Sequence, residues 1–271
     1  MSQAHPKIIL TIAGFDPSSG AGITADLKTI AAHGLYGVSC ITALTVQTTQ
    51  GVLRSEALLP RIVRETLESL VADTPPAAIK IGMLGSGSVA AEIARFLKAN
   101  SLPNIVLDPV LLSSSGAGLL DREGVRILKE QLITLADVVT PNLDEAANLT
   151  GQSVIDEAGM ERACRELAKL GAKNAVVKGG HLAKPADLLA VETTNGQRLS
   201  WLRNEKVETR NTHGTGCAYS TSIACNLALG QSLDDAVLRA RNYVAGALRE
   251  AYDVGKGTGP INHFHSTRHK V

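Results

Sequence analysis

Residues 7–33 read KIILTIAGFDPSSGAGITADLKTIAAH. Strand-like residues at 7–13 enter a glycine-rich polar loop at 14–22, and a helical pattern follows over 21–33. In that pattern Ile23, Leu27, Ile30 and Ala31 share one face at the helical period. A strand, a tight loop and a helix open a βαβ unit, whose next strand returns parallel to the first. The alternation continues along the chain. Parallel strands are expected at 37–44 (GVSCITAL), 77–82 (AAIKIG), 104–108 (NIVLD), 137–140 (DVVT) and 174–178 (NAVVK). Helices are expected at 61–72, 86–99, 121–133, 143–150 and 157–170. Segment 187–201 (DLLAVETTNGQRLSW) breaks the pattern, because Asn195-Gly196 between two β-rich runs signals a hairpin and hence an antiparallel edge. Ser232 and Asp235 then form a capping-box pattern before a stripe of Val237, Ala240, Val244, Ala247, Leu248 and Ala251. The expected class is α/β with a mainly parallel central sheet, in one domain over 1–271.

Composition agrees. Of 271 residues 44% are hydrophobic but only 3% aromatic, so the core is aliphatic, as suits parallel strands covered on both faces. The 27 basic and 26 acidic residues give a net charge of +1, which argues against a nucleic-acid or membrane-surface protein. The segment KIILTIAG is too short for a signal peptide and lacks a cleavage site. None of Cys40, Cys164, Cys217 and Cys225 forms a C-x-x-C pair, so reduced thiols and a cytoplasmic location are expected. The tail 262–271 (NHFHSTRHKV) reads as exposed and poorly ordered, which disfavours a metal site at His263, His265 and His269.

The chemistry is concentrated in NTHGTGCAYSTS, 211–222. Gly214 and Gly216 precede a helix of small residues. Backbone amides there, with the helix dipole, can form an anion hole, and Thr215 adds a hydroxyl. Cys217 in the first turn is expected to have a lowered pKa and an acid–base role. A tight glycine turn beside a buried cysteine accounts for the same letters. Lys178 ends a strand in VKGGH, either as a surface lysine or as a point charge for nucleotide phosphates. In TPNLDEAA (140–147), Asn142 and Glu145 read as a capping box or as water-mediated Mg²⁺ ligands. Asp108 ends another strand, facing the crevice where α/β sheets bind ligands. The loop GFDPSSGAG is neither a Walker A sequence nor G-x-G-x-x-G.

Eight stretches in order carry a family resemblance: TIAGFDPSSGAGITADLKT, ITALTVQTT, IKIGML, VLDPV, TPNLDEA, VKGGH, NTHGTGC and VGKGTGP. The chain resembles the hydroxymethylpyrimidine/phosphomethylpyrimidine kinases of thiamine biosynthesis, in the ribokinase-like superfamily. The resemblance implies a three-layer α/β/α fold and ATP with Mg²⁺ as cofactors. It implies two successive phosphorylations, of 4-amino-5-hydroxymethyl-2-methylpyrimidine and of its monophosphate, and a homodimer. By motif it assigns the pyrimidine pocket to Gly14, Asp26, Gln47, Met83 and Val110. Gln47 offers a donor and an acceptor to the 4-amino group and the adjacent ring nitrogen, while Met83 and Val110 face the ring. It assigns the base or proton-relay role to Cys217, where the wider superfamily has Asp. Lys256 in VGKGTGP is either a loop lysine or a nucleotide contact. Two departures stand out: D-P-S-S-G where D-P-S-G-G is common, which strains Ser19 if its φ is positive, and bulky Phe15 beside Gly14. Some pyridoxal kinases share the G-T-G-C or G-A-G-C architecture, and the resemblance implies that those tend to lack Gln at the Gln47 position. A pyrimidine-binding regulator without turnover is the remaining alternative, opposed by Lys178, Glu145 and the 214–217 turn.

Overall fold

The computed structural model describes residues 5–113, 116–180, 182–203 and 206–266. One nine-stranded sheet has the order β3-β2-β1-β4-β5-β6-β7-β8-β9. Its strands are β1 (Ile8–Phe15), β2 (Tyr36–Thr48), β3 (Gly51–Ala57), β4 (Ala78–Ile81), β5 (Ile105–Leu107), β6 (Val138–Val139), β7 (Asn174–Val177), β8 (Ala186–Thr193) and β9 (Gly196–Arg203). From β2 through β7 all neighbours are parallel. The expected hairpin is β8–β9, closed by the pair Thr193–Gly196.

The β-period sets the layers. Leu10 and Ile12 of β1 point into one apolar cluster, and Ile9 points into the other. The first cluster is covered by α2 (Pro60–Asp73), α3 (Gly87–Ala99), α4 (Arg122–Ile127), α6 (Leu143–Thr150) and α7 (Glu157–Lys169). A π turn at Leu128–Leu132 continues α4 into α5 (Ile133–Leu135). The second cluster is covered by α1 (Gly22–Ala32), α8 (Thr215–Ala228) and α9 (Leu233–Arg249). The result is a three-layer α/β/α arrangement, as the resemblance implies. Ser232 caps α9 as expected, and Val237, Ala240, Val244 and Ala247 are buried. Ala251 lies beyond the end of that helix.

Two findings depart from the sequence expectation. The strand expected at 37–44 runs on to Thr48 and turns back as β3, an antiparallel edge. Residues 53–57 of β3 are exposed, so the segment lacks the apolar alternation by which strands are read. The tail also begins inside the protein. Ile261, Asn262 and His263 are buried, with the Asn262 amide donating to Ala247 (3.0 Å) and Tyr243 donating to the His263 carbonyl (2.8 Å). His269 and the far end of the tail lie outside the described residues.

Ser19 adopts φ 62°, the left-handed region where a β-carbon is strained. Ser19→Gly should therefore stabilise the protein by up to about 1 kcal/mol, a rise of roughly 2–4 °C in Tm by calorimetry.

Candidate active site

The loops that leave β1, β5, β6 and β7 at their carboxyl ends converge near the N-terminus of α8. This is the edge where open α/β sheets place ligands. Gly214 precedes α8 with φ 83° and ψ 3°, and no described side chain caps that helix. The Thr215 amide bonds to the Thr212 carbonyl (3.3 Å) and the Ala218 amide to the Gly214 carbonyl (2.9 Å). The Gly216 and Cys217 amides are left for an outside acceptor. Gly214 itself is pressed against the Gly20 carbonyl, so it closes the turn rather than opening it. The Thr215 hydroxyl donates to the Thr212 carbonyl (2.7 Å), which corrects the expectation of a free donor there.

On one flank of this turn stands Lys178. Its ammonium donates to Asp108 Oδ1 (2.8 Å) and lies 4.0 Å from Glu145 Oε2. A β-carbon at Gly216 would stand 3.4 Å from Lys178 Nζ and 3.9 Å from Asp108 Oδ2, so the missing side chain keeps the lysine beside the turn. Thr140 and Ser220 each donate to Asp108 at 3.2 Å. Burial, with Asp108 adding to it and Lys178 opposing, raises the Glu145 carboxyl to about 7.

On the other flank stands Gln47, half-buried near the end of β2. Its carboxamide lies 3.3 Å from His213 Nε2 and 3.1 Å from Thr45 Oγ1. His213 immediately precedes Gly214 and is only 8% exposed. Met83 and Val110 pack with Ala43 and Leu119, and Gly14 lies against the Met83 sulfur, so this part of the expected pocket forms one apolar wall. The turn thus has a polar reader and an apolar wall on one side and a cation with two carboxylates on the other.

The phosphomethylpyrimidine kinase family model matches residues 16–262. The chain belongs to the phosphomethylpyrimidine kinase family. It is 39% identical to the hydroxymethylpyrimidine/phosphomethylpyrimidine kinase of Haemophilus influenzae, covering 98% of this chain and 100% of that one. It is 42% identical to the kinase of that name from Streptomyces coelicolor, over 95% and 94% of the two chains. The thiamine biosynthesis bifunctional protein ThiED of Geobacter sulfurreducens is also 42% identical, but the chain spans only 52% of that protein's length. Among solved structures, phosphomethylpyrimidine kinase from Clostridium difficile superposes with a TM-score of 0.77 at 39% identity, over 89% of this chain and 99% of that one. The ADP complex of Bacillus subtilis pyridoxal kinase gives 0.88 at 30% identity, over 97% and 99%.

Within this family member several expected site residues take other roles. Asp26 is fully buried beneath the turn. It accepts from Thr11 (2.6 Å), Thr221 (2.7 Å) and both ways from Lys80 (2.9 and 3.1 Å), so its oxygens are filled by protein and it is no direct pyrimidine contact. Lys80 is likewise 0% exposed, and sequence reading missed it because it stands in an apolar strand run. Asn142 is the N-cap of a complete capping box with Glu145, both bonds at 2.8 Å, so its oxygen already accepts the Glu145 amide. Lys256 is exposed, on a loop that braces the turn by accepting at Gly259 from the His213 amide (3.1 Å). Cys217 runs against expectation most clearly. Burial pushes its thiol up to about 11 although the Lys80 ammonium opposes this, and Asp26 and Asp108 add to the rise. His213 and Asp16 were also missed, and His181 of VKGGH lies outside the described residues.

No group of three or more His, Cys, Asp or Glu among the described residues is arranged to hold a metal. The oxygen donors at the phosphate end are Asp108 and Glu145, with Lys178 between them. That set fits Mg²⁺ held mainly by water and nucleotide phosphates, the usual habit of this ion.

The buried Asp26–Lys80 pair predicts that Lys80→Met costs about 3–5 kcal/mol in denaturant melts, because it strands a buried carboxylate. A second prediction concerns pH. Because folding raises the Glu145 pKa from 4.5 to about 7, its stabilising contribution is complete below 4.5 and is lost as pH rises through 7. Glu145→Gln should flatten the fall in Tm over that window.

Proposed function

We propose that this protein phosphorylates 4-amino-5-hydroxymethyl-2-methylpyrimidine and then its monophosphate with ATP and Mg²⁺, at the α8 N-terminus. One observation carries the reading: the Gly214–Cys217 turn stands between Gln47 with His213 and Lys178 with Asp108. An alcohol read by Gln47 then meets a phosphoryl group held by Lys178 and the Gly216 and Cys217 amides. Charge accumulating on that group during transfer is neutralised where it forms, by donors already in place. Mg²⁺, when bound, would neutralise the nucleotide phosphates beside Asp108 and Glu145. A thiol that ionises near 11 is a poor base at neutral pH. Phosphoryl transfer through a loose transition state needs little proton removal before the barrier, so Cys217 serves as a protonated neighbour, passing its own proton to an oxygen of the transferred phosphoryl group as it takes up that of the hydroxyl.

A second reading is phosphorylation of a pyridoxal-type alcohol. It is favoured by the backbone likeness to pyridoxal kinases, one of which was solved with AMP-PCP and pyridoxal. Gln47 favours the aminopyrimidine, whose adjacent donor and acceptor match a carboxamide. A coupled assay offering both alcohols separates the two, and a clear preference for pyridoxal or pyridoxine would overturn the first reading.

In that assay Gln47→Met should raise the pyrimidine KM by about tenfold or more while the nucleotide KM stays close to that of the parent. Lys178→Ala should lower kcat/KM for the nucleotide by about 10². Alkylation of Cys217 by iodoacetamide, followed by mass spectrometry, should be slow at pH 7–8 and accelerate toward pH 11.

A further inference from the structure

We propose that His213 fixes which end of the Gln47 carboxamide faces the phosphate turn, and so sets the direction in which the aminopyrimidine edge enters the site. The proposal deepens the reading of Gln47 as the pyrimidine's polar contact and rests on it.

The starting point is Asp16. Its Oδ1 accepts from the Ser18 amide (2.8 Å) and hydroxyl (2.7 Å), and its Oδ2 accepts from the Gly20 (3.2 Å) and Ala21 (2.8 Å) amides. Four donors favour the ionised carboxylate. Burial pulls the other way, but the bonds from His213, Ser18 and Ala21 outweigh it and hold Asp16 below its ordinary range. A carboxylate has no proton to give. His213 Nε2 stands 2.8 Å from Asp16 Oδ2, so the proton between them resides on Nε2.

That assignment decides what Gln47 can present. An Nε2–H cannot accept from the Gln47 NH2 group. The structure draws Gln47 Nε2 toward His213 (3.3 Å) and Oε1 toward Thr45 Oγ1 (3.1 Å), which sets a donor against a donor. The single Thr45 hydroxyl proton goes to the Phe15 carbonyl at 2.9 Å, leaving its lone pair toward Gln47. Turning the carboxamide by half a turn about its last bond satisfies both neighbours. Its oxygen then shares the single His213 Nε2–H with Asp16 in a three-centre bond, at the longer distance of the two, and its NH2 donates to Thr45. The two carboxamide ends have nearly the same shape and are told apart only by such partners.

The direction has a chemical consequence. In the pyrimidine the amino-bearing carbon lies between the ring nitrogen and the carbon that carries the hydroxymethyl group. With the Gln47 oxygen on the His213 side, the amino group donates there and the ring nitrogen accepts from NH2 on the Thr45 side. The hydroxymethyl group, next beyond the amino group, continues past His213 toward Gly214 and the amides of α8. The reversed carboxamide would turn the ring over and send the hydroxymethyl group away from the phosphate. His213 is held for this task from three sides. Its ring occupies the space where Gly20 has no side chain, its amide donates to Gly259 (3.1 Å), and its Nε2–H points mainly to Asp16 at 2.8 Å, leaving the weaker share to Gln47.

The test compares the 4-amino alcohol with its 4-oxo analogue, whose ring edge presents donor and acceptor in the opposite order. The readout is the ratio of their kcat/KM values. The parent enzyme should prefer the amino alcohol, and His213→Ala and Asp16→Asn should each lower the ratio by about tenfold. His213→Gln, whose NH2 can donate to both Asp16 and Gln47, should retain it. A residue that merely supports the fold would depress both substrates together and leave the ratio where it was. If the parent prefers the amino alcohol but every soluble variant keeps the ratio within about twofold, the His213 proposal is overturned while the Gln47 reading survives. If the parent itself shows no preference, the Gln47 reading fails and this proposal falls with it. Should His213→Ala fail to fold, Asp16→Asn carries the same decision.

Discussion

The site depends on two stretches of backbone that touch. Gly214, in the left-handed region, lies against the carbonyl of Gly20, and the His213 ring fills the place of the Gly20 side chain. No residue with a β-carbon fits either position without moving the other loop. One loop follows β1 and the other precedes α8, so the contact joins segments nearly two hundred residues apart in sequence. The amides of the α8 N-terminus are therefore aimed by a loop they do not belong to. Glycine is required here by the closeness of approach as well as by its freedom in φ.

A second constraint is electrostatic. The turn is built over buried ions whose charges are arranged in layers. Deepest is the Asp26–Lys80 pair, shielded completely from solvent and completed by two threonine hydroxyls. Nearer the crevice, Asp108 and Glu145 share Lys178, an excess of one negative charge at the place where a nucleotide and its metal would arrive. The raised Glu145 carboxyl registers that excess: burial and Asp108 together outweigh the lysine. A bound cation would remove the disfavour. The lysine meanwhile is engaged with its own carboxylates beside Gly216.

The fold was legible because aliphatic runs with a period of two, separated by helical stripes, dictate alternating strands and helices. β3 escaped that reading because an exposed two-sided edge has no alternation to show. The start of the tail escaped it because polar Asn262 and His263 are buried by hydrogen bonds to α9 and its flank rather than by hydrophobicity. At the site, the glycine turn, Lys178, Asp108 and Gln47 were visible as residue types at strand ends. What sequence did not reveal was which polar residues would be consumed by the protein itself. Asp26 looks like a ligand in one dimension and is fully bonded in three, and the Asn142 oxygen is engaged by the capping box. Cys217 shows the same limit. A helix N-terminus argues for a low thiol pKa, but burial and two nearby carboxylates decide against it.

The substrate is the part of the problem that the backbone leaves undecided. Kinases named for pyridoxal and for phosphomethylpyrimidine share this fold, so likeness of fold does not decide the ring. Discrimination has to come from the edge of the ring, where one heterocycle offers a donor beside an acceptor and another does not. A site that hydrogen-bonds such an edge rejects a mismatched ring strongly, because its own buried donor and acceptor would be left unpaired. Gln47 can impose that penalty only if its carboxamide cannot turn over to suit the intruder. A freely rotating Gln would accept either order of donor and acceptor and would select little. On the proposed reading, specificity belongs to the group that denies Gln47 its second orientation as much as to Gln47, and His213 Nε2, 2.8 Å from Asp16 Oδ2 and 3.3 Å from the Gln47 carboxamide, stands where that denial has to occur.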